Sequence, residues 1–172
     1  MSSPPIPLSP APVTRRTAEV RVHDSVMRYH RTGHGRPVLI LLPNGEAGLD
    51  QLWPGLLDLL AARFRVIVPE VEATGGDVAR WLGAFLEGLG VTDAGIIATD
   101  SFCMPCLELA LRDADQVTRV VLVPGGSASE TGLGGTLGTR PGGAGVPLLV
   151  VRRDLPTEEA LAMVSRFLGI EG

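Results

Sequence analysis

The chain has 172 residues, of which 45% are hydrophobic and 20% charged, and its formal net charge is -4. This length suits one domain with a substantial core, and the charge argues against nucleic acid because no Lys/Arg cluster could neutralise a run of phosphates. No apolar run reaches the ~18 residues of a membrane span, and the N-terminus lacks the basic and apolar regions of a signal peptide, which predicts a cytoplasmic protein.

The first thirty residues divide into a tail and a predicted hairpin. Residues 1–13 are rich in Pro and Ser and predict a disordered tail with polyproline II character. Residues 14–172 are predicted to form a single domain. Within it, residues 18–22 and 26–30 alternate apolar and polar side chains around residues 23–25, which predicts two antiparallel strands.

The rest of the chain alternates strand patterns with helical patterns. Five short segments are apolar on both faces, as strands in a helix-covered parallel sheet must be; they are 37–42, 64–69, 95–98, 118–123 and 147–151. Helical stripes of apolar residues follow the third of these strands and occur near 51–63, 77–88 and 157–168. With the hairpin, this order predicts an α/β fold: a parallel-rich sheet of about seven strands with helices on both faces.

One long segment interrupts this alternation. Residues 124–146 are dominated by Gly, Ser and Thr, and they offer too little apolar surface to offset the entropy lost on ordering. The composition therefore predicts a flexible, Gly-rich loop. The segment does not open a helix directly after a strand, so a phosphate-binding loop is not indicated.

The sharpest local feature lies between residues 94 and 110, AGIIATDSFCMPCLELA. An apolar strand stops at Thr99, and a helical pattern begins with no intervening loop. Such a turn lifts one side chain above the carboxyl end of the sheet, which is the geometry of a nucleophile elbow. Asp100 is predicted at its apex, with Ser101 as the alternative.

The two cysteines, Cys103 and Cys106, form a C-x-x-C motif at the start of this helix. A thioredoxin-type dithiol also follows a strand and opens a helix, so redox chemistry is one interpretation. The upstream strands do not fit that smaller fold, and Cys is often buried for structural reasons alone. We therefore predict structural thiols and keep dithiol chemistry as an alternative.

From Val20 onward, the order of segments resembles the α/β-hydrolase fold. MRYHRTGHGRPVLILL is similar to the second and third strands of that family, FRVIVPE to the strand that ends in Pro-Asp, and ALRDADQVTRVVLV to the end of the elbow helix and the sixth strand. The resemblance implies a minimal core of that fold. It also implies that the helical cap domain is missing, because the Gly-rich loop stands in its place.

The resemblance further implies candidate site residues. Asp100 takes the nucleophile position, and an aspartate nucleophile is typical of the haloalkane-dehalogenase and epoxide-hydrolase branches. Asn44 and Gly45 stand where the family has His-Gly, and Glu46 would supply a backbone N–H to the oxyanion hole. Phe102, which follows the elbow, completes this group of oxyanion-hole and pocket candidates.

Several departures from the family bear on catalysis. Ala98 and Phe102 replace the glycines that flank the nucleophile. Hydrolysis needs an imidazole that an acid orients. Asp154 matches the acid, but it leads within two residues into the last helix, which leaves no room for the strand and histidine that the family places beyond it. The histidines lie instead in the first hairpin and the turn after it: His23, His30 and His34.

These features predict a non-catalytic hydrolase-like domain that acts as a binding or assembly subunit, with no cofactor and no metal. The first alternative is a weak or atypical hydrolase of esters, epoxides or haloalkanes, with Asp100 or Ser101 as nucleophile and Asp154 as acid or base. The second alternative is a thiol redox protein that uses Cys103 and Cys106.

The last strand gives the prediction for partners. Without an eighth strand beside it, the segment from Pro147 to Val151 would be an open edge, whose free N–H and C=O groups invite pairing with another chain. We therefore expect a homo-oligomer or a protein partner at this edge. Arg152, Arg153 and Asp154 would act as charged guards where it stays uncovered.

Overall fold

A computed structural model describes residues 14–41, 48, 52–71, 77–125, 135–137 and 145–169. These residues form strands β1 (Arg16–Val22), β2 (Ser25–Gly33), β3 (Arg36–Leu41), β4 (Phe64–Pro69), β5 (Ala94–Thr99), β6 (Val117–Val123), β7 (Gly135–Leu137) and β8 (Val146–Val150). The helices are α1 (Leu56–Ala61), α2 (Val78–Gly88), α3 (Cys103–Arg112) and α4 (Thr157–Leu168), and a 3-10 turn, Asp100–Phe102, precedes α3.

All of these strands belong to one sheet, in the order β1-β2-β4-β3-β5-β6-β8-β7. The five strands from β4 to β8 in that order are parallel, while the β1-β2 hairpin at one edge and β7 at the other are antiparallel to their neighbours. The predicted parallel-rich α/β fold is confirmed. Because parallel strands end at one edge of a sheet, the turns that follow β5, β6 and β8 lie side by side.

The sheet is buried on both faces, as the apolar strands predicted. All six residues of β5 are buried. Side chains alternate along a strand, so Ile96 packs in the cluster with α2 and α3, and Ile97 packs in the cluster with α1 and α4. Both helical layers are therefore held by the central strand that carries the elbow.

The helices are short, and α2 begins where the sequence predicts. The Asp77 carboxylate accepts a hydrogen bond from the Arg80 backbone N–H at 2.9 Å, which satisfies one of the free donors at the start of α2. The first helix is shorter than the predicted 51–63, because Pro54 and Gly55 form a turn before it and Gly55 has a φ of 86°. None of the described helices has the length and apolar character needed to span a bilayer.

The predicted open edge is wrong for the first half of β8. β7 pairs with it in antiparallel register from Val146 to Leu148, so the loop prediction for 124–146 is also wrong at Gly135–Leu137. The added strand supplies partners for backbone groups that would otherwise be unpaired. On that side of β8, Leu149 and Val150 have no strand partner among the described residues, and pairing of another chain there stays a prediction.

Candidate functional site

The turn after β5 has the backbone geometry of an elbow, with Asp100 at its apex. Asp100 has a φ of 51°, in the left-handed region that costs a non-glycine residue about 1–2 kcal/mol. Such strain persists only where the surroundings over-determine the conformation. Thr99 contributes to this: it is fully buried, and its hydroxyl donates to the Leu41 carbonyl at 3.3 Å. Of the two apex candidates, Asp100 and not Ser101 carries the strained backbone.

The Asp100 carboxylate is held at the carboxyl edge of the sheet by residues that follow two other strands. Its Oδ2 accepts a hydrogen bond from Arg153 Nη2 at 2.7 Å. Its Oδ1 lies against Gly125, where an added Cβ would collide with Oδ1 and stand 3.2 Å from Cγ. The side chain is 25% exposed, against 47% for Arg153. Both carboxylate oxygens are therefore occupied or crowded.

Asp154, the predicted acid, pairs with another residue. Its Oδ1 accepts from Arg152 Nε at 2.8 Å, and its Oδ2 accepts from Arg152 Nη2. This bidentate hydrogen bonding lowers the pKa of the exposed Asp154 carboxyl below its ordinary value. Arg153, one residue earlier, is the group at this strand end that reaches Asp100, and the role of Asp154 as the acid stays a prediction.

The remaining residues of the predicted pocket are less informative. Ser101 is exposed, whereas Phe102 is 8% exposed and packs in the core cluster with α2 and α3. Phe102 is thus a core residue in this structure rather than an open pocket wall. Asn44, Gly45 and Glu46 lie outside the described residues, so their oxyanion-hole role stays a prediction.

Neither cysteine has the surroundings of a reactive thiol. Cys103 and Cys106 are free and buried, and the Cys103 Sγ donates to the Ala98 carbonyl at 3.5 Å. Burial raises the pKa of both thiols above the ordinary 9.0, and the charge of Asp100 adds to this effect at Cys103. Redox cysteines need the opposite conditions, which are exposure and a lowered pKa.

We expect both thiols to resist iodoacetamide in the folded protein at neutral pH and to react fully in denaturant. Intact-mass spectrometry gives the count of adducts. Because folding keeps both thiols neutral, their contribution to stability is present below pH 9.0 and declines as the pH rises above it. Rapid alkylation of the native protein would contradict the buried placement and revive the dithiol alternative.

The histidines lie several strands away from the elbow, near the lateral edge of the sheet that the first hairpin forms. His30 on β2 contacts Glu70 Oε1 through Nε2 at 2.8 Å, and its Nδ1 is 3.3 Å from Thr17 Oγ1. Three strand spacings separate β2 from β5, which is roughly 14 Å at about 4.8 Å each. His23 and His34 are in the turns on either side of β2. An imidazole from this chain therefore does not reach Asp100.

Described residues line cavities at a distance from the elbow. Two cavities lined by described residues lie elsewhere, one beneath the first hairpin and one at the amino ends of the strands. Among the described residues, no three His, Cys, Asp or Glu side chains gather as a metal site requires. The distinguishing feature of this edge is the Asp100–Arg153 ion pair.

Sequence reasoning missed Arg153 as a partner of Asp100. Its identity as an edge guard was inferred from charge alone, and the contact joins residues 53 positions apart. The available signal was its place just after a parallel strand, because strand ends meet at one edge of the sheet.

Comparisons with known proteins agree with this fold. No protein-family model matches the chain. A haloalkane dehalogenase of Mesorhizobium japonicum is 26% identical over 127 residues, which is 67% of this chain and 40% of that protein. The structure of the epoxide hydrolase CorEH superposes with a TM-score of 0.54 at 20% identity, covering 64% of this chain and 42% of the other.

A further solved structure points the same way. A loop variant of the haloalkane dehalogenase DbeA from Bradyrhizobium elkanii superposes with a TM-score of 0.53 at 22% identity, over 64% of this chain and 40% of the other. The chain thus spans about 40% of the length of the relatives it matches. The sheet order, the elbow at Asp100 and these matches together show that the chain has an α/β fold resembling the core of the α/β-hydrolase fold.

Proposed function

We propose that this domain acts by binding rather than by catalysis, as a hydrolase-like domain whose elbow is closed by an ion pair. The observation that carries the proposal is the contact at 2.7 Å between Asp100 and Arg153, in a position where a hydrolase needs a free nucleophile. An arginine guanidinium keeps its charge at every physiological pH and has no acceptor, so it cannot take a proton from water.

Among the described residues, no general base contacts Asp100, and this supports the same proposal. If Asp100 attacked an alkyl carbon, the ester formed would have to be cleaved by an activated water molecule. General-base assistance is worth about 100- to 10,000-fold in rate. In the described part of the chain, the groups against the carboxylate are the Arg153 guanidinium and the Gly125 backbone, and neither one supplies such a base.

A second candidate function is a slow hydrolase. The left-handed φ of Asp100 and its partial exposure favour it, because strain of this kind clusters at functional sites. The related proteins are haloalkane dehalogenases and epoxide hydrolases by name, which indicates the bonds to test. In this version, Arg153 must first release Asp100.

Turnover measurements separate the two candidates. Purified protein is incubated with 1-bromohexane, styrene oxide and p-nitrophenyl butyrate, and bromide, diol and nitrophenolate are followed. We expect rates equal to those of Asp100→Asn, because an unassisted carboxylate does not complete a cycle. Multiple turnovers that disappear in Asp100→Asn would overturn the proposal and establish the slow hydrolase.

Arg153→Gln is the matched variant for this test. It frees Asp100 from the ion pair without adding a base, so turnover should remain absent. The pair is partly exposed and contributes only about 0.2–1 kcal/mol, so the variant should fold. A gain of turnover in Arg153→Gln would show that the ion pair, and not the missing base, suppresses the reaction.

A further inference from the structure

A cavity of about 360 Å³ opens at the amino ends of the parallel strands, on the edge of the sheet opposite Asp100. It lies between the sheet and the last turn of α4. Its walls include Arg36, Phe64, Asp93, Arg119 and Leu168. The volume falls within the range of about 300–1,000 Å³ that is usual for small-molecule pockets.

The apolar floor of this cavity follows from strand register. Gly95 pairs with Val38 on one side and with Arg119 on the other, and paired residues of parallel strands point to the same face. Gly95 places no side chain in this row. A Cβ there would lie 3.5 Å from Val38 Cγ2 and 3.7 Å from Leu168 Cδ2, so the glycine leaves a hollow lined by aliphatic side chains.

The polar part of the cavity carries a net positive charge. Arg36 and Arg119 line it together with one carboxylate, Asp93. Among the described residues, neither guanidinium has an ion-pair partner, although the chain as a whole carries a net charge of -4. Arg119 lies near the end of α4, where its Nη1 would stand 3.2 Å from a Cβ at Gly169.

We propose that this cavity binds a small amphipathic monocarboxylate. Guanidinium groups match carboxylates with charge-assisted, bidentate hydrogen bonds, and the aliphatic floor accepts the apolar part of the ligand. Two cations and one anion leave one net positive charge, which suits a singly charged ligand better than a phosphate dianion. The site goes beyond the proposed function and does not depend on the elbow, since it uses the other edge of the sheet.

The test is a titration of the full chain with octanoate at low ionic strength. Binding is measured by isothermal titration calorimetry and by the changes in amide NMR chemical shifts. We expect saturable one-to-one binding with shifts at Arg36, Gly95 and Arg119. Arg36→Gln and Arg119→Gln should each weaken binding about tenfold, as expected for loss of a hydrogen bond to a charged group. Octanol should bind more weakly than octanoate by a similar factor.

Two further variants keep the result interpretable. Gly95→Ala meets only ordinary van der Waals contacts, so it should fold while filling the floor and weakening binding without changing charge. Arg65→Gln is the matched control. Arg65 is exposed, and because successive side chains of a strand point to opposite faces, it lies on the face of β4 opposite to Phe64, which lines the cavity. It should bind octanoate as the parent does.

The proposal is overturned if millimolar octanoate gives no saturation, or if Arg36→Gln and Arg119→Gln bind as tightly as Arg65→Gln. Asp100→Asn should leave octanoate binding unchanged. The outcome at this cavity is therefore independent of whether the elbow proves catalytic.

Discussion

Gly33→Ala is expected to destabilise the domain by more than about 4 kcal/mol, a large share of the total stability of a domain this size. Gly33 ends β2 with a φ of 72° and passes close to the chain at the end of α1. A Cβ there would collide with the Phe64 carbonyl oxygen and stand 2.7 Å from the Ala61 carbonyl oxygen. These are backbone atoms, so relief requires the strand or the helix to move.

Gly90→Ala is the control that separates this collision from backbone strain. Gly90 also has a positive φ, 66°, but nothing lies within 4 Å of its notional Cβ. It should cost only the left-handed penalty of about 1–2 kcal/mol. Urea denaturation followed by circular dichroism gives both values. Equal costs for the two substitutions would mean that the β2 contact with Phe64 is looser than described.

Phe85→Ala is expected to cost about 3–5 kcal/mol, the usual range for removing a buried phenyl ring. Phe85 on α2 is fully buried. Its ring meets Tyr29 edge-on at 5.8 Å and stacks on Trp81 at 5.2 Å, so the substitution removes two ring contacts as well as apolar burial. The cavity left behind would separate α2 from β2.

Phe85→Leu is the companion variant, because it keeps most of the volume and should cost less than about 1.5 kcal/mol. Both variants are compared with the parent protein by urea denaturation. The slope of the free energy of unfolding against urea concentration is also compared, because an unchanged slope indicates that unfolding stays two-state. A cost below about 1 kcal/mol for Phe85→Ala would place the ring outside the well-packed core.

Local patterns in the chain were sufficient to predict most of the fold. The two-faced apolar runs identify the parallel strands, and Asp77 identifies the start of α2, because each signal arises within a few residues. The first helix was predicted from residue 51, but α1 begins at Leu56 because Pro54 and Gly55 form a turn before it. The strand β7 was missed because its three residues have a loop composition, and their pairing depends on the exposed edge of β8.

The sequence was sufficient to predict where the candidate site lies, but it was not sufficient to predict which side chains contact each other there. Asp100 at the apex follows from the junction of an apolar strand with a helical pattern. Its pairing with Arg153 depends on where β8 ends and on the direction in which the side chains after it point. If that segment were displaced by one residue, Asp154 would take the place of Arg153 beside Asp100. The cavity beneath Arg36 and Arg119 depends on the register of strands far apart in sequence.

The crowding of Asp100 against Gly125 couples two positions that lie on different strand ends. The coupling runs in one direction: with glycine at 125, position 100 accepts many side chains, whereas a methyl group at 125 requires the Asp100 carboxylate to shift or a shorter residue to replace it. Substitutions here are thus epistatic, and their order matters. A bulkier residue at 125 therefore displaces the Asp100 carboxylate from its present position unless position 100 is shortened first.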